Sequence, residues 1–314
     1  MDQRRIFQFL AERIAAGQPC ALVTVLAVQG SAMRNPGTHM AVAADGSFVG
    51  SLSGGCIENA VVAEACAALR EGAARIVRFG AGSPYLDIRL PCGGGLDIHF
   101  QPLASADLPL ACLAAIAARQ PYTVAIEPAG TTCRSGWHPA PFDPATGTGA
   151  YGNWPAARLV LVGHGEGVAA LARLALTLGL ELDALSPDER ALAALRELGL
   201  APRQLERTTD THLLTSDPWT AIAFLFHDHD WESALLQRAL ALPQFYVGAM
   251  GGRRAHAARC AALSALGVNA AAIATIRAPI GLFHSSRDPD TLALSTLAEI
   301  VRAYQAADFG AALG

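Results

Sequence analysis

The sequence predicts a two-domain α/β protein, with an N-terminal α/β domain followed by a domain built on a parallel sheet. Three observations predict it. The chain has 314 residues, 52% apolar and 16% charged, enough apolar surface for two cores. Its first part alternates short strand-like and helix-like apolar patterns divided by glycine turns. Its second part opens on Arg158-Leu159-Val160-Leu161-Val162-Gly163, a continuous apolar run suited to a buried parallel strand, and more strand–helix units follow. The expected division is a first domain over 1–127, a linker over 128–155 and a second domain over 156–314.

In the first domain, Ile6, Phe7, Leu10 and Ile14 give residues 3–16 one apolar helical face. Residues 20–28 read as a buried strand. A loop with a single cation, Arg34, follows. Residues 39–44 and 47–52 flank Asp45-Gly46, a strong hairpin signal. Ile57, Val61, Ala65 and Leu69 recur every four residues, so 57–69 is a helix, and Gly72 stops it. Strands are expected at 75–79, 96–100 and 122–126, and a helix at 108–119. Residues 128–155 are rich in Gly, Pro, Thr and Ser and poor in aliphatics, and read as loop.

The net charge of −4 argues against a nucleic-acid surface. No apolar run is long enough to span a membrane, and residues 1–6 lack the apolar core of a signal peptide. Seven cysteines, an odd number, fit reduced thiols in the cytoplasm.

Two glycine-flanked cysteines stand out. Cys56 follows Gly54-Gly55 at the mouth of the 57–69 helix, where free N–H groups favour anions and lower a thiol's pKa. Glu58, in the first helical turn, opposes a thiolate. Cys92 precedes Gly93-Gly94-Gly95 and a strand. Neither belongs to a C-x-x-C pair, so the zinc signature is absent. A small buried thiol beside a turn remains the competing reading of each.

In the second domain, Gly163-x-Gly165 between a strand and a helix is the order of a Rossmann-like unit. Val168 stands at the third fingerprint position, and Ser186 ends the next strand where an acidic ribose partner belongs, so weak or absent NAD(P) binding is expected. His227-Asp228-His229-Asp230 offers metal-ligating side chains at a strand end. Adjacent residues rarely converge on one ion, and the favoured reading is a loop in which Asp230 caps the helix 231–240. Gly251-Gly252 with Arg253-Arg254 at a helix start reads as a phosphate site or as a tight turn with solvated arginines.

Taken in order, these motifs resemble the XdhC/CoxI family, the accessory proteins of xanthine dehydrogenase and related molybdenum hydroxylases. The matching residues are Gly30-Ser31 with Pro36-Gly37, Gly54-Gly55-Cys56-Ile57-Glu58, and Pro91-Cys92-Gly93-Gly94. In the second half they are Gly163-x-Gly165, His227-Asp228-His229, Gly248-x-x-Gly251 with Arg253-Arg254, Ala278-Pro279-Ile280-Gly281-Leu282, and Ser295-x-x-Ala298-Glu299-Ile300. Gly251-Gly252 departs from the family's Gly-Ser, and Phe283-His284-Ser285-Ser286 from its Ile-Gly-Ala.

The resemblance implies a chaperone rather than a catalyst. It would bind molybdenum cofactor (molybdopterin), protect it during sulfuration and deliver it to the apo-enzyme, with a molybdenum hydroxylase such as xanthine dehydrogenase, a cysteine desulfurase and a second copy of the chain as partners. The cofactor's metal end is expected near Cys56 and Cys92, whose thiolates are soft ligands. Its anionic end is expected on a glycine loop, so Gly54, Gly55, Glu58, Gly93, Gly94, Gly163, Gly165, His227, Gly251, Gly252, Arg253 and Arg254 are the candidate binding residues. The competing functions are an NAD(P)-dependent oxidoreductase and a cofactor-free scaffold joining desulfurase to target.

Overall fold

A computed structural model describes residues 3–30, 34–55, 57–83, 93–226, 230–283 and 288–310. The chain divides into two units, Met1–Pro155 and Ala156–Gly314.

The first unit contains α1 (Gln3–Ala15), β1 (Cys20–Gln29), β2 (His39–Ala43), β3 (Phe48–Val49), α2 (Glu58–Glu71), β4 (Arg75–Gly80), β5 (Gly95–Leu103) and α3 (Asp107–Ala117). The strands form a five-stranded sheet in the order β3-β2-β1-β5-β4, with antiparallel pairing throughout. The apolar run of β1 is covered on both faces although its sheet is antiparallel. Ala21, Val23 and Val25 pack with Val61, Ala65 and Ala68 of α2, while Cys20 and Leu22 pack with Phe7, Leu10 and Leu108 of α1 and α3. Alternation along the strand sends neighbours to opposite faces, so both faces must be apolar. Gly72 ends α2 in the left-handed conformation, as expected.

Residues 128–155 correct the expectation of a loop. They carry β7 (Gly130–Ser135), β8 (Ala140–Asp143) and β9 (Thr148–Asn153), which join β6 (Tyr122–Glu127) in a second sheet ordered β7-β6-β9-β8. The core contact comes mainly from β6 and from Tyr151, which packs on Leu26 and Ile126 and donates its hydroxyl to the Leu26 carbonyl at 2.9 Å. The outer strands are polar because little of them is buried. Gly152 is a packing requirement, since a Cβ there would stand 2.5 Å from Trp137, whose ring stacks on Trp154 at 4.9 Å.

The second unit contains β10 (Arg158–Gly163), α4 (Glu166–Thr177), β11 (Glu181–Ser186), α5 (Glu189–Glu197), β12 (Arg203–Gln204), β13 (Thr220–Leu225), α6 (Glu232–Ala241), β14 (Tyr246–Ala249), α7 (Arg253–Ala265), α8 (Ala270–Ala274) and α9 (Pro289–Ala306). Its parallel sheet runs β12-β11-β10-β13-β14, the first five strands of the doubly wound order 3-2-1-4-5-6, so the Rossmann-like expectation holds. Leu159 and Leu161 face α4 and α9, and Val160 and Val162 face α6 and α7. Val168 is fully buried in the first of these layers. Asp230 is not the cap of α6, because Trp231 occupies that position. The next residue, Glu232, instead makes a buried two-pronged pair with Arg259 of α7, at 2.9 and 3.1 Å.

The central sheet of the first unit carries a polar row. Thr24 of β1 pairs in register with His39 of β2 on one side and His99 of β5 on the other. Thr24 Oγ1 lies 2.9 Å from His39 Nδ1. Burial, which disfavours the charged ring, pushes both histidines down to about 4. Both are therefore neutral in the fold but take up protons near 6.5 when the chain unfolds. Their contribution is complete above pH ~6.5 and lost as pH falls toward ~4. Melting followed by circular dichroism should show stability declining through that window, and His39→Gln with His99→Gln should flatten the decline. A slope that both substitutions leave intact would refute the assignment.

Candidate functional site

Glu58 organises the loop between β3 and α2. Its Oε1 accepts from Ser51 Oγ (2.7 Å) and from the amides of Leu52 (3.1 Å) and Ser53 (3.0 Å). Its Oε2 accepts from Ser53 Oγ (2.6 Å) and from the amides of Gly55 (2.9 Å) and Ile57 (3.2 Å). The Gly54 amide turns to Ser51 Oγ at 2.9 Å. Gly54 and Gly55 have φ of 80° and 115°, a region that side chains rarely adopt, and this folds the amides around the carboxylate. Burial raises the Glu58 carboxyl, but the hydrogen bonds from Ser53, Ser51 and the backbone outweigh it and hold the group down at about 2.

The loop is thus an anion nest already filled by the chain's own carboxylate. Glu58, expected to face the cofactor, uses both oxygens to shape its own loop. The amides of Gly54 and Gly55, expected to cradle a phosphate, are likewise taken.

The glycine motifs of the first unit gather at one end of its central sheet. Gly95 pairs with both Gln29 and Gly80, so β1 and β4 end where β5 begins. A Cβ at Gly30 would lie 3.5 Å from the Gly94 Cα, and the Ala81 amide donates to the Gly94 carbonyl at 2.9 Å. Arg78 fastens this corner. It bonds both Asp97 oxygens at 3.0 Å and the Ala81 carbonyl at 2.7 Å. Strand β3 runs parallel to β1, so the Gly54-Gly55 loop leaves toward the same end. Gly93 is exposed there, as are Gly54 and Gly55. Cys56 and Cys92 lie outside the described residues, as do Ser31 and Pro91.

Beside this end lies a cleft of about 620 Å³, lined by Arg5, Arg34, His39, Ser51, Trp137 and Tyr151 among others. Sequence reasoning registered Arg34 as the cation of its loop and missed the cleft, because the opposite wall comes from the stretch read as linker. Elsewhere in this unit, the neighbouring Cys112 thiol holds the Cys133 thiol below its ordinary range.

In the second unit, Gly163 is required by strand packing, since a Cβ there would sit 2.5 Å from the Leu225 carbonyl oxygen. Gly165, with φ 82°, precedes Glu166, whose carboxylate already complements the first turn of α4. The Ser186 hydroxyl accepts from the Asp188 amide at 3.1 Å, and Asp183 pairs with Arg203. Gly252, Arg253 and Arg254 are exposed at the start of α7, and Gly251, with φ 120°, packs against Ala255. His227, Asp228 and His229 lie outside the described residues. No cluster of metal-ligating side chains occurs among the described residues. A second carboxylate shapes a loop in this unit. Glu299 of α9 accepts from the Gly281 amide at 2.7 Å and the Tyr246 hydroxyl at 2.6 Å.

The profile of the XdhC and CoxI family matches residues 13–80, and that of the XdhC Rossmann domain matches residues 159–300. The molybdenum cofactor insertion chaperone PaoD of Escherichia coli (strain K12) is 34% identical over 316 residues, spanning 98% of this chain and 91% of PaoD. The uncharacterized protein YqeB of the same organism is 24% identical over 300 residues, spanning 90% of this chain and 43% of YqeB. A crystal structure described as a xanthine dehydrogenase from Bacillus halodurans has a TM-score of 0.75 over 96% of each chain at 18% identity, a likeness of fold. No helix among the described residues is long and apolar enough to cross a membrane.

Replacing Glu58 by Gln should disturb the loop strongly, because an amide group then faces amide donors. The expected cost is about 2–3 kcal/mol, the scale of hydrogen bonds to a charged group. The depressed carboxyl contributes stability above pH ~4.5 that is lost as pH falls toward ~2, and Glu58→Gln should remove that part of the acid transition. Denaturant melts at pH 7 and 3 test this. Equal losses at both pH values would contradict it.

Proposed function

This chain belongs to the XdhC/CoxI family, and we propose that it is a molybdenum cofactor chaperone that protects the cofactor during sulfuration and delivers it to an apo molybdenum hydroxylase such as xanthine dehydrogenase. The observation that carries the reading is the 34% identity to an insertion chaperone across 98% of this chain. The gathering of the Gly30, Gly54-Gly55 and Gly93-Gly94 motifs at one sheet end supports it, because exposed glycine, Gly55 on one side and Gly93 on the other, directly adjoins each cysteine position in the chain. Cys56 and Cys92 contact the metal end or the sulfur in transit, roles suited to soft thiolates. The partners are the hydroxylase, a cysteine desulfurase and a second copy of this chain, and the setting is the cytoplasm.

NAD(P) is not the ligand in this reading. Support comes from Ser186, whose hydroxyl is used locally, from Asp183, which is paired with Arg203, and from the packing demand at Gly163.

Protein purified from cells making the cofactor should carry pterin and molybdenum in equal amounts, and finding neither would contradict the proposal. Cys56→Ser keeps the size of the side chain but exchanges a soft, ionisable ligand for a hard, protonated one. It should leave stability within about 0.5 kcal/mol. Reconstitution of an apo molybdenum hydroxylase should nevertheless fall sharply. Full reconstitution by this variant would remove the cysteine from the mechanism.

A further inference from the structure

The anionic end of the cargo needs a cation or a ring of free amides. The Gly54-Gly55 loop offers neither, because Glu58 and Ser51 take its described amides. Gly163 is committed to strand packing, and Glu166 places a carboxylate at the start of α4.

The cleft of the first unit differs from these loops. Among the described residues no carboxylate lines it, and two arginines do. Arg34 has no hydrogen-bond or ion-pair partner among the described residues, and its Nε is shielded from solvent. A half-buried guanidinium without a partner is costly unless an anion arrives.

The turn carrying Arg34 is held firmly. The Gly37 amide donates to the Val25 carbonyl at 2.8 Å, and the Val25 amide donates to the Thr38 carbonyl at 3.0 Å. Gly37 has φ 85°, and a Cβ there would meet the Tyr151 ring at 3.0 Å. On the far wall, Trp137 is fixed between Trp154 and the Gly152 backbone. The volume, about 620 Å³, suits a small organic ligand. Ser51 lines the cleft and also donates to Glu58, so the cleft adjoins the Glu58-held loop that carries Gly54 and Gly55.

We propose that this cleft binds the phosphate-bearing end of the pterin, with Arg34 as its counter-ion. The proposal rests on the chaperone reading above and assigns the phosphate end to the first unit rather than to the glycine loops of the second.

The test uses the full chain and metal-free molybdopterin handled without oxygen, beside the same pterin after phosphatase treatment. Pterin retained after gel filtration and quenching of tryptophan fluorescence are the readouts. Wild-type protein should prefer the phosphorylated pterin. Arg34→Gln should weaken that form about tenfold, the effect of losing one good charge-assisted contact. It should leave the dephosphorylated form unchanged, and Arg34→Lys should recover part of the preference. Arg253→Ala with Arg254→Ala should bind both pterins as wild type does.

The melting temperature of Arg34→Gln should match or exceed that of wild type, because no internal partner is lost; a sharp fall would mark Arg34 as structural and overturn the proposal. Equal weakening of both pterins by Arg34→Gln, or none, would overturn it while the chaperone reading stands. Loss of the preference in the Arg253/Arg254 variant would place the phosphate in the second unit and also overturn it. Wild-type protein that retains neither pterin would defeat the chaperone reading itself.

Discussion

The arrangement of the first unit depends on one carboxylate. Glu58 sits at the start of α2 and draws the amides of Leu52, Ser53, Gly55 and Ile57 onto its two oxygens. A loop with so many inward amides would be a poor fold without an anion at its centre, since buried unmet donors are expensive. The chain supplies that anion itself. The two glycines permit the required backbone turn, and the result is a stiff loop that fixes the residues on either side of Cys56. The functional consequence is a separation of roles. In the proposed chaperone role, charge for an anionic cargo therefore comes from elsewhere, and Arg34 of the neighbouring cleft is the group we assign to it.

The second unit shows how a binding fingerprint can arise from packing. Gly163 lies where β10 meets the end of β13, and the Leu225 carbonyl leaves no room for a Cβ. Val168 fills the layer between the sheet and α9. Glycine and valine at these positions are therefore explained by strand and helix contact alone. Glu299 repeats the device seen at Glu58, holding the Gly281 turn from the adjacent helix. Fixing loops with carboxylates on helices is thus a feature of both units.

What was legible in the sequence follows from periodicity. The face of α2, the Asp45-Gly46 hairpin and the buried strands of the parallel sheet are local patterns, and each stands where the pattern puts it. The strands of 128–155 were not legible, because mostly exposed strands need no aliphatic alternation and their Gly and Thr residues look like loop. The Glu232–Arg259 pair joins two helices distant in sequence, so nothing local announces it. Glu58 is legible as a first-turn acid, but its role is not, because its partners include amides whose direction depends on the φ of Gly54 and Gly55. The readable hint was Ser51 and Ser53 shortly before a first-turn glutamate, a relative of the capping box. The cleft was illegible for the same reason as the second sheet that walls it.

The most direct test of cargo binding in the first unit is hydrogen exchange on the full chain, with and without molybdopterin. Binding as described here slows exchange in 34–39 and 49–55 and in the wall strand Thr148–Asn153, and leaves 163–168 and 250–256 unchanged. Slowing confined to 163–168 or 250–256, with none in the first unit, would contradict it.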